Sequence, residues 1–243
     1  MQCEPFDTPV FAKASSGTQG GFVKYKAIIF DLDGTIVDNG NVWGEATKQL
    51  MRVRGVELSD SDVEKMEEKL CGIGMLGSCS FLKKTYCLAD PIEDLIAEKT
   101  KCASLLYSNG LKFIPGFKTF YKKVCDLQLK TGVATSSARD TLESAKTQLN
   151  LERFFGQHIY DIALVGGRAK PDPAVYLYAA QKVGVAPCDC IAIEDSPVGI
   201  TAAQKAGMFC IGINTAGIPR LIQHADLVIN AYEEINLEKL LEK

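Results

Sequence analysis

Asp31-Leu32-Asp33-Gly34-Thr35 closes the apolar run Lys26-Ala27-Ile28-Ile29-Phe30 and sets two carboxylates where a buried strand meets solvent. Side chains of a strand alternate faces, so Asp31 and Asp33 point the same way while Leu32 turns into the core. Gly34 and Thr35 then let the backbone leave the sheet. Paired carboxylates in such a place do chemistry or hold metal. On this segment alone, the plainer account of acids ending a strand as turn residues stays open. Three further polar clusters bear on the choice.

Gly132-Val133-Ala134 is followed by Thr135-Ser136-Ser137, and Ser137 with Asp140 three residues on reads as a capping box opening a helix through Gln148. Capping leaves Thr135 and Ser136 unused, and hydroxyls with exposed amides at a helix N-terminus make a natural phosphate site. Lys170 follows Gly166-Gly167-Arg168-Ala169 and precedes Pro171-Asp172-Pro173. The proline holds its backbone extended, and Asp172 and Pro173 begin the next helix, so the stem of the cation is fixed. Ile191-Ala192-Ile193 runs into Glu194-Asp195-Ser196-Pro197, then into a helix from Val198 that stops at Gly207. Either Asp195 or Ser196 suffices as its N-cap, and the second carboxylate, Glu194, is more than a cap requires.

These clusters must be positioned by the elements that precede them. Short apolar strands are predicted at Ala27–Phe30, Gly132–Thr135, Ile162–Val165, Ile191–Ile193, Cys210–Ile213 and Leu227–Ile229, separated by helical segments. Near-continuous apolar strands alternating with helices imply an α/β fold, a three-layer, Rossmann-like parallel sheet covered on both faces. From Asn39 to Asn109 no strand pattern appears, and helical spacing dominates, as in Val42, Ala46, Leu50, Val53 and in Val63, Met66, Leu70. This predicts an all-helical cap over residues 39–109 inserted into a core of residues 24–38 and 110–243, with Gly110 and Pro115-Gly116 marking the return to the sheet. In open α/β sheets ligands bind beyond the carboxyl ends of the strands, where all four clusters lie. An acid pair, hydroxyls, a lysine and a second acid pair converging there suit magnesium-assisted phosphoryl transfer. They offer hard oxygen ligands for Mg²⁺, a carboxylate nucleophile, and a hydroxyl and a cation for the transferring oxygens.

Composition bounds the partners. The chain has 243 residues, 23% charged and 47% hydrophobic, with a net charge of −3, so it carries no electrostatic footprint for nucleic acid. Its uncharged stretches, such as Ala206 to Pro219, are broken by Gly and Pro and fall short of the ~20 apolar residues of a membrane span. Residues 1–23, rich in Ser, Gly and Thr, lack the basic start and apolar stretch of a secretory signal and read as a flexible tail on a soluble, cytoplasmic protein. Nine Cys without repeating spacing read as reduced, mostly buried thiols, and Cys188-Asp189-Cys190 has no second pair or nearby His to complete a zinc site. Nothing in the pattern fixes an oligomeric state.

The order D-L-D-G-T, T-S-S, K-P-D-P and I-E-D-S-P-x-G-I-x-A-A-x-x-A-G-M resembles the haloacid dehalogenase superfamily of phosphohydrolases across about residues 24–230. It is most similar to the branch with a helical cap after the first strand, which holds sugar-phosphate phosphatases and β-phosphoglucomutase. The resemblance implies that Asp31 is the nucleophile forming an aspartyl-phosphate and that Asp33 protonates the leaving oxygen and later activates water. It implies that Thr135 and Ser136 hold the phosphoryl group, that Lys170 bridges nucleophile and phosphate, and that Asp31, Asp33 through its carbonyl, Glu194 and Asp195 bind Mg²⁺. Gly34, Ser137, Arg139, Trp43 and Gly72 are the further phosphate- or substrate-contacting positions it implies, with a small phosphorylated metabolite as the partner.

Departures from the mutase pattern separate two activities within that branch. Mutases of this type carry a His twelve residues after the nucleophile, where this chain has Trp43, and an Arg three residues after a cap glycine in an L-x-G segment, where Leu70-Cys71-Gly72 leads to Met75. Without that Arg the cap lacks a bidentate grip on a second phosphate, which favours hydrolysis over a bisphosphate intermediate. Trp43 resembles the phosphatase members, and packing between cap and core accounts for it equally. The cap segment Gly72–Phe81 is apolar or small at Ile73, Met75, Leu76 and Ser78 and so names no substrate, and Lys83 and Lys84 fit either anion attraction or simple solvation.

Overall fold

The computed structural model describes residues 24–39, 42–70, 74–107 and 110–242, so the tail of residues 1–23 and Gly72 lie outside the described residues. In chain order the elements are β1 (Ala27–Phe30), β2 (Val37–Asp38), α1 (Val42–Arg52), α2 (Asp60–Leu70), α3 (Gly74–Thr85), α4 (Ile92–Tyr107), β3 (Lys112–Phe113), α5 (Phe117–Asp126) and β4 (Lys130–Thr135). They continue with α6 (Arg139–Leu149), α7 (Glu152–Phe155), β5 (Ile159–Asp161), α8 (Ala174–Val183), β6 (Cys190–Glu194), α9 (Pro197–Lys205), β7 (Phe209–Ile213), β8 (Leu227–Ile229) and α10 (Leu237–Leu241).

Among the described residues, six strands form a parallel sheet in the order β5-β4-β1-β6-β7-β8. Strand alternation sorts the core into two layers. Ile28, Phe30, Val133, Ile191 and Ile193 join Phe117, Phe120, Val124 and Leu142 from α5 and α6 on one face. Ala27, Ile29, Ala134, Cys190 and Ala192 meet Val175, Tyr176, Ala179, Ile200 and Ala203 from α8 and α9 on the other. With both faces covered, β1 is buried along its whole length, as its unbroken apolar sequence requires. It is an α/β, Rossmann-like core.

Helices α1–α4 fill the span between β2 and β3, two short strands that pair antiparallel through Val37 with Phe113 and Asp38 with Lys112. The linkers into and out of the helical unit are thereby bonded to each other. Inside the unit α1 packs on α4, and the fork of Arg54 holds Asp90 through Nε at 3.2 Å and Nη2 at 2.9 Å and Glu98 through Nη2 at 2.7 Å.

Several expectations change here. Ile162–Val165 is a 3₁₀ turn, and the strand is the preceding Ile159–Asp161. The Asp161 carboxylate accepts from Ala163 N at 2.9 Å, which turns the chain out of the ladder and leaves Leu164 exposed. Val53 lies one residue past α1 and is exposed rather than on its buried face. Cys79, Cys190 and Cys210 are buried, but Cys87, Cys125 and Cys188 are exposed, so thiols are not mostly interior among the described residues. Among the described residues no helix is long and apolar enough to cross a membrane.

Phe117 joins these parts, its ring stacked on Phe113 of β3 at 5.3 Å and edge-on to Phe30 of β1 at 5.8 Å. Truncation of this fully buried ring, Phe117→Ala, is expected to cost about 3–5 kcal/mol of unfolding free energy by urea titration. A loss under about 1 kcal/mol would show that the linker strand is not anchored through this contact.

Candidate active site

β4, β1 and β6 are adjacent, so their carboxyl ends bring Thr135, Asp31 and Glu194 to one place. Asp31 N donates to Ile193 O at 2.9 Å and keeps the first acid in the sheet ladder. The chain then folds back, with Ile36 N and Val37 N both donating to Leu32 O at 2.9 Å. Gly34, at φ +76°, occupies the left-handed region, and a Cβ there would sit 2.1 Å from Asp195 Oδ2. The turn is held from behind by Thr215 Oγ1, which donates to Gly34 O at 2.7 Å, and by Tyr232 OH, which donates to Thr35 O at 2.9 Å.

Lys170 lies at the centre. Its ammonium donates to Asp31 Oδ1 and, at 2.6 Å, to Glu194 Oε1, and all three side chains are buried. The lysine is thus no solvated surface residue; its peptide bond to Pro171 is cis. Tyr176, fully buried on α8, donates its hydroxyl to Glu194 Oε1 at 2.7 Å, and its ring faces the ammonium at 4.8 Å. The other Glu194 oxygen accepts from Ser196 Oγ at 3.1 Å. Gly199 makes room for this carboxylate, since a Cβ there would lie 1.9 Å from Glu194 Oε1. Ser196 is the N-cap of α9, accepting from Gly199 N at 3.1 Å, which leaves Asp195 outside the capping bond.

Asp31, Glu194 and Asp195 each offer an oxygen within 4.8 Å of the others. Burial raises the pKa of Asp31 to about 8, the Glu194 charge adding to the rise while Lys170 opposes it. Burial, then the Asp31 and Glu194 charges, hold Asp195 well above the usual carboxylate range. At Lys170 burial works to lower the pKa, and the two acids lift it above the ordinary value. A hard, divalent cation suits such a set of three oxygens better than a soft one.

The carboxylate of Asp33 is not one of the three in this acidic group, and the metal role expected of Asp33 is that of its carbonyl. Its Oδ2 accepts from Ser137 Oγ, and its Oδ1 accepts from Tyr107 OH and from Asn39 Nδ2, the latter at 3.2 Å. With the one Ser137 hydroxyl proton given to Asp33, the 2.7 Å contact between Thr135 Oγ1 and Ser137 Oγ is donated by Thr135, whose oxygen accepts in turn from Ser137 N at 2.9 Å. Ser137 therefore caps nothing: α6 starts at Arg139, after an Ala138 with no side-chain cap, because the serine hydroxyl is drawn to the carboxylate. Ser136 Oγ accepts from Lys170 N at 3.3 Å, joining the β4 loop to the lysine loop. Arg139 is exposed at the start of α6.

Trp43 is half-buried among Val42, Ala46, Ala103, Tyr107 and Leu111, at the base of the helical unit. Met75 is half-buried against the interior cluster of that unit, its sulfur accepting from Cys79 Sγ at 3.8 Å. Lys83 is tied to backbone oxygens of Leu88 and Asp90. Sequence reasoning missed Tyr176, Tyr107 and Asn39. Tyr107 ends the buried α4 stripe Leu95, Lys99, Ala103, Tyr107, whose spacing of four reads only as a packed face. Lys99 of that stripe donates to Ser78 Oγ at 2.7 Å. Gly199, inside the I-E-D-S-P-x-G run, carried a signal in sequence.

The sequence profile of haloacid dehalogenase-like hydrolases matches residues 25–207. Validoxylamine A 7'-phosphate phosphatase of Streptomyces hygroscopicus subsp. limoneus is 28% identical over 214 residues, spanning 87% of this chain and 96% of that protein. β-Phosphoglucomutase of Bacillus subtilis (strain 168) is 31% identical over 225 residues, spanning 90% of this chain and 95% of its own. A HAD family hydrolase from Deinococcus radiodurans R1, crystallised with bound phosphate and sodium, superposes with a TM-score of 0.70 at 25% identity, covering 90% of this chain and 98% of that one. With every strand-end cluster inside the matched span, this chain belongs to the haloacid dehalogenase-like hydrolases.

Proposed function

We propose that this phosphohydrolase is a Mg²⁺-dependent phosphatase that hydrolyses a small phosphorylated metabolite, a sugar phosphate, through an aspartyl-phosphate on Asp31. The observation that carries the reading is the buried Lys170 ammonium between Asp31 and Glu194, with Asp195 completing the acidic group. A cation fixed against the attacking carboxylate orients it and lies where charge on the transferred phosphoryl group develops.

In the first step an Asp31 oxygen attacks phosphorus, the bond from phosphorus to the sugar oxygen breaks, and that oxygen takes a proton from Asp33. In the second, water attacks the phosphorus of the aspartyl-phosphate, Asp33 takes the water proton, and the bond to Asp31 breaks to release inorganic phosphate. Thr135 and Ser136 hold phosphoryl oxygens, Thr135 turning its proton from Ser137 to the substrate. Oxygens of Asp31, Glu194 and Asp195, with the Asp33 carbonyl, would hold Mg²⁺, which supplies Lewis-acid neutralisation of phosphoryl charge when bound. The helical unit of residues 39–109 is the cap, which excludes bulk water over the site, with Gly34, Ser137, Arg139 and Trp43 at substrate-facing positions.

A mutase is the second reading, favoured by the 31% identity to β-phosphoglucomutase. Against it stands Met75, an apolar side chain half-buried against the cap's interior cluster where the mutase pattern needs an Arg fork.

Asp31→Asn is expected to lower steady-state phosphate release at least about a thousandfold while leaving the fold intact, because the amide matches the carboxylate in shape but is a poor nucleophile. Activity within about tenfold of the parent would remove Asp31 from the nucleophile's role. With β-glucose 1-phosphate and catalytic glucose 1,6-bisphosphate, ³¹P NMR is expected to show inorganic phosphate, or no product where that sugar is not a substrate, and no accumulating glucose 6-phosphate. Glucose 6-phosphate accumulating at roughly 1 s⁻¹ or faster would make the enzyme a mutase.

A further inference from the structure

Asp33 is gripped from two sides, and one of them is the cap. Its Oδ2 is held by Ser137 from the β4 loop, while the donors on Oδ1 come from the outgoing linker and from the last residue of the helical unit. Asn39 follows β2 on the outgoing linker, and Tyr107 ends α4 just before the returning one. The two are bonded to each other as well, Asn39 Nδ2 donating to Tyr107 OH at 2.8 Å. The phenol has one proton, and it goes to Asp33.

The surroundings hold that phenol in place. Tyr107 is 1% exposed and packs with Val42, Ala46 and Ala103 of α1 and α4. Its backbone carbonyl accepts from Gln148 Nε2 of α6 at 2.6 Å, and Gln148 Oε1 accepts from Leu111 N at 3.0 Å. One core side chain therefore clamps the returning linker on both sides. Burial and the Asp33 charge keep the Tyr107 phenol well above its ordinary pKa, so it remains a donor through the working range.

We propose that Tyr107, supported by Asn39, is a positioning residue for Asp33, aiming the carboxyl that exchanges protons with the substrate oxygen and making that aim depend on how the cap linkers are seated. This rests on the reading of Asp33 as acid and base. A general acid must lie within hydrogen-bond reach of the leaving oxygen, and a carboxyl held on one oxygen alone can turn away from it.

The test varies the demand for a proton. Glucose 6-phosphate expels an alkoxide that needs protonation, and p-nitrophenyl phosphate expels a stable phenolate that does not. For Tyr107→Phe, kcat/KM, which reports formation of the aspartyl-phosphate, is expected to fall roughly tenfold on glucose 6-phosphate and by less than about twofold on p-nitrophenyl phosphate, a part of the full effect of a general acid. Asn39→Ala, which leaves the phenol in place, is expected to show the same selectivity. Equal losses on both substrates for the two variants, or no loss on either, would overturn the positioning role. Asp33→Asn run beside them separates the two levels of the account. Selectivity for the sugar phosphate in Asp33→Asn but not in Tyr107→Phe refutes the positioning alone, and its absence in Asp33→Asn refutes the acid itself.

Discussion

The buried ammonium of Lys170 organises the candidate active site. The Lys170 ammonium has the carboxylates of Asp31 and Glu194 on either side, and removal of a partner from such a buried pair leaves a charge in a medium that solvates it poorly. Much of the nearby structure keeps that arrangement intact. Tyr176 and Ser196 hold Glu194, Gly199 leaves space for its oxygens, and the ladder bond from Asp31 to Ile193 fixes the other acid. Three carboxylates gather around one lysine here, and burial first, then the charges of the neighbouring acids, raises the pKa values of Asp31 and Asp195. A divalent cation would offset those charges, which is why the protein's own electrostatics agree with metal-assisted chemistry.

Topology explains how residues so far apart in sequence meet. Placing β1 between β4 and β6 sets Asp31 beside the Thr135 loop on one side and Glu194 on the other. The same strand end sends the chain out through β2 to the helices and receives it back through β3. The general-acid candidate Asp33 stands at this junction, bonded to the core through Ser137, to the outgoing linker through Asn39 and to the end of α4 through Tyr107. The candidate acid and the attachment of the helical unit therefore share one carboxylate.

What was legible in sequence follows from what each segment answers to. β1, β6, β7 and the second half of β4 are buried on both faces, so their apolar runs announce them, and β8 at the sheet edge shows the same apolar run although Val228 is exposed. β2 and β3 have two residues each and leave no period to read. At Ile162–Val165 an apolar run was outvoted by a local Asp161 cap, and at Ser137 a good capping pattern was outvoted by a carboxylate from another strand. The acids, hydroxyls and lysine of the site were visible because polar residues after buried strands have few structural reasons to be there. Tyr176 and Tyr107 were invisible for the opposite reason: a tyrosine on a packed helix face looks like core, and only the fold shows where its hydroxyl goes.

The most direct measurement is the turnover number of Lys170→Met at saturating substrate and Mg²⁺, with circular dichroism to verify folding. Methionine keeps the stem and removes the charge. If the ammonium both seats Asp31 and neutralises the transferring phosphoryl group, kcat falls by about a hundredfold or more. A folded variant with kcat within about threefold of the parent, or with its loss confined to KM, would contradict the account.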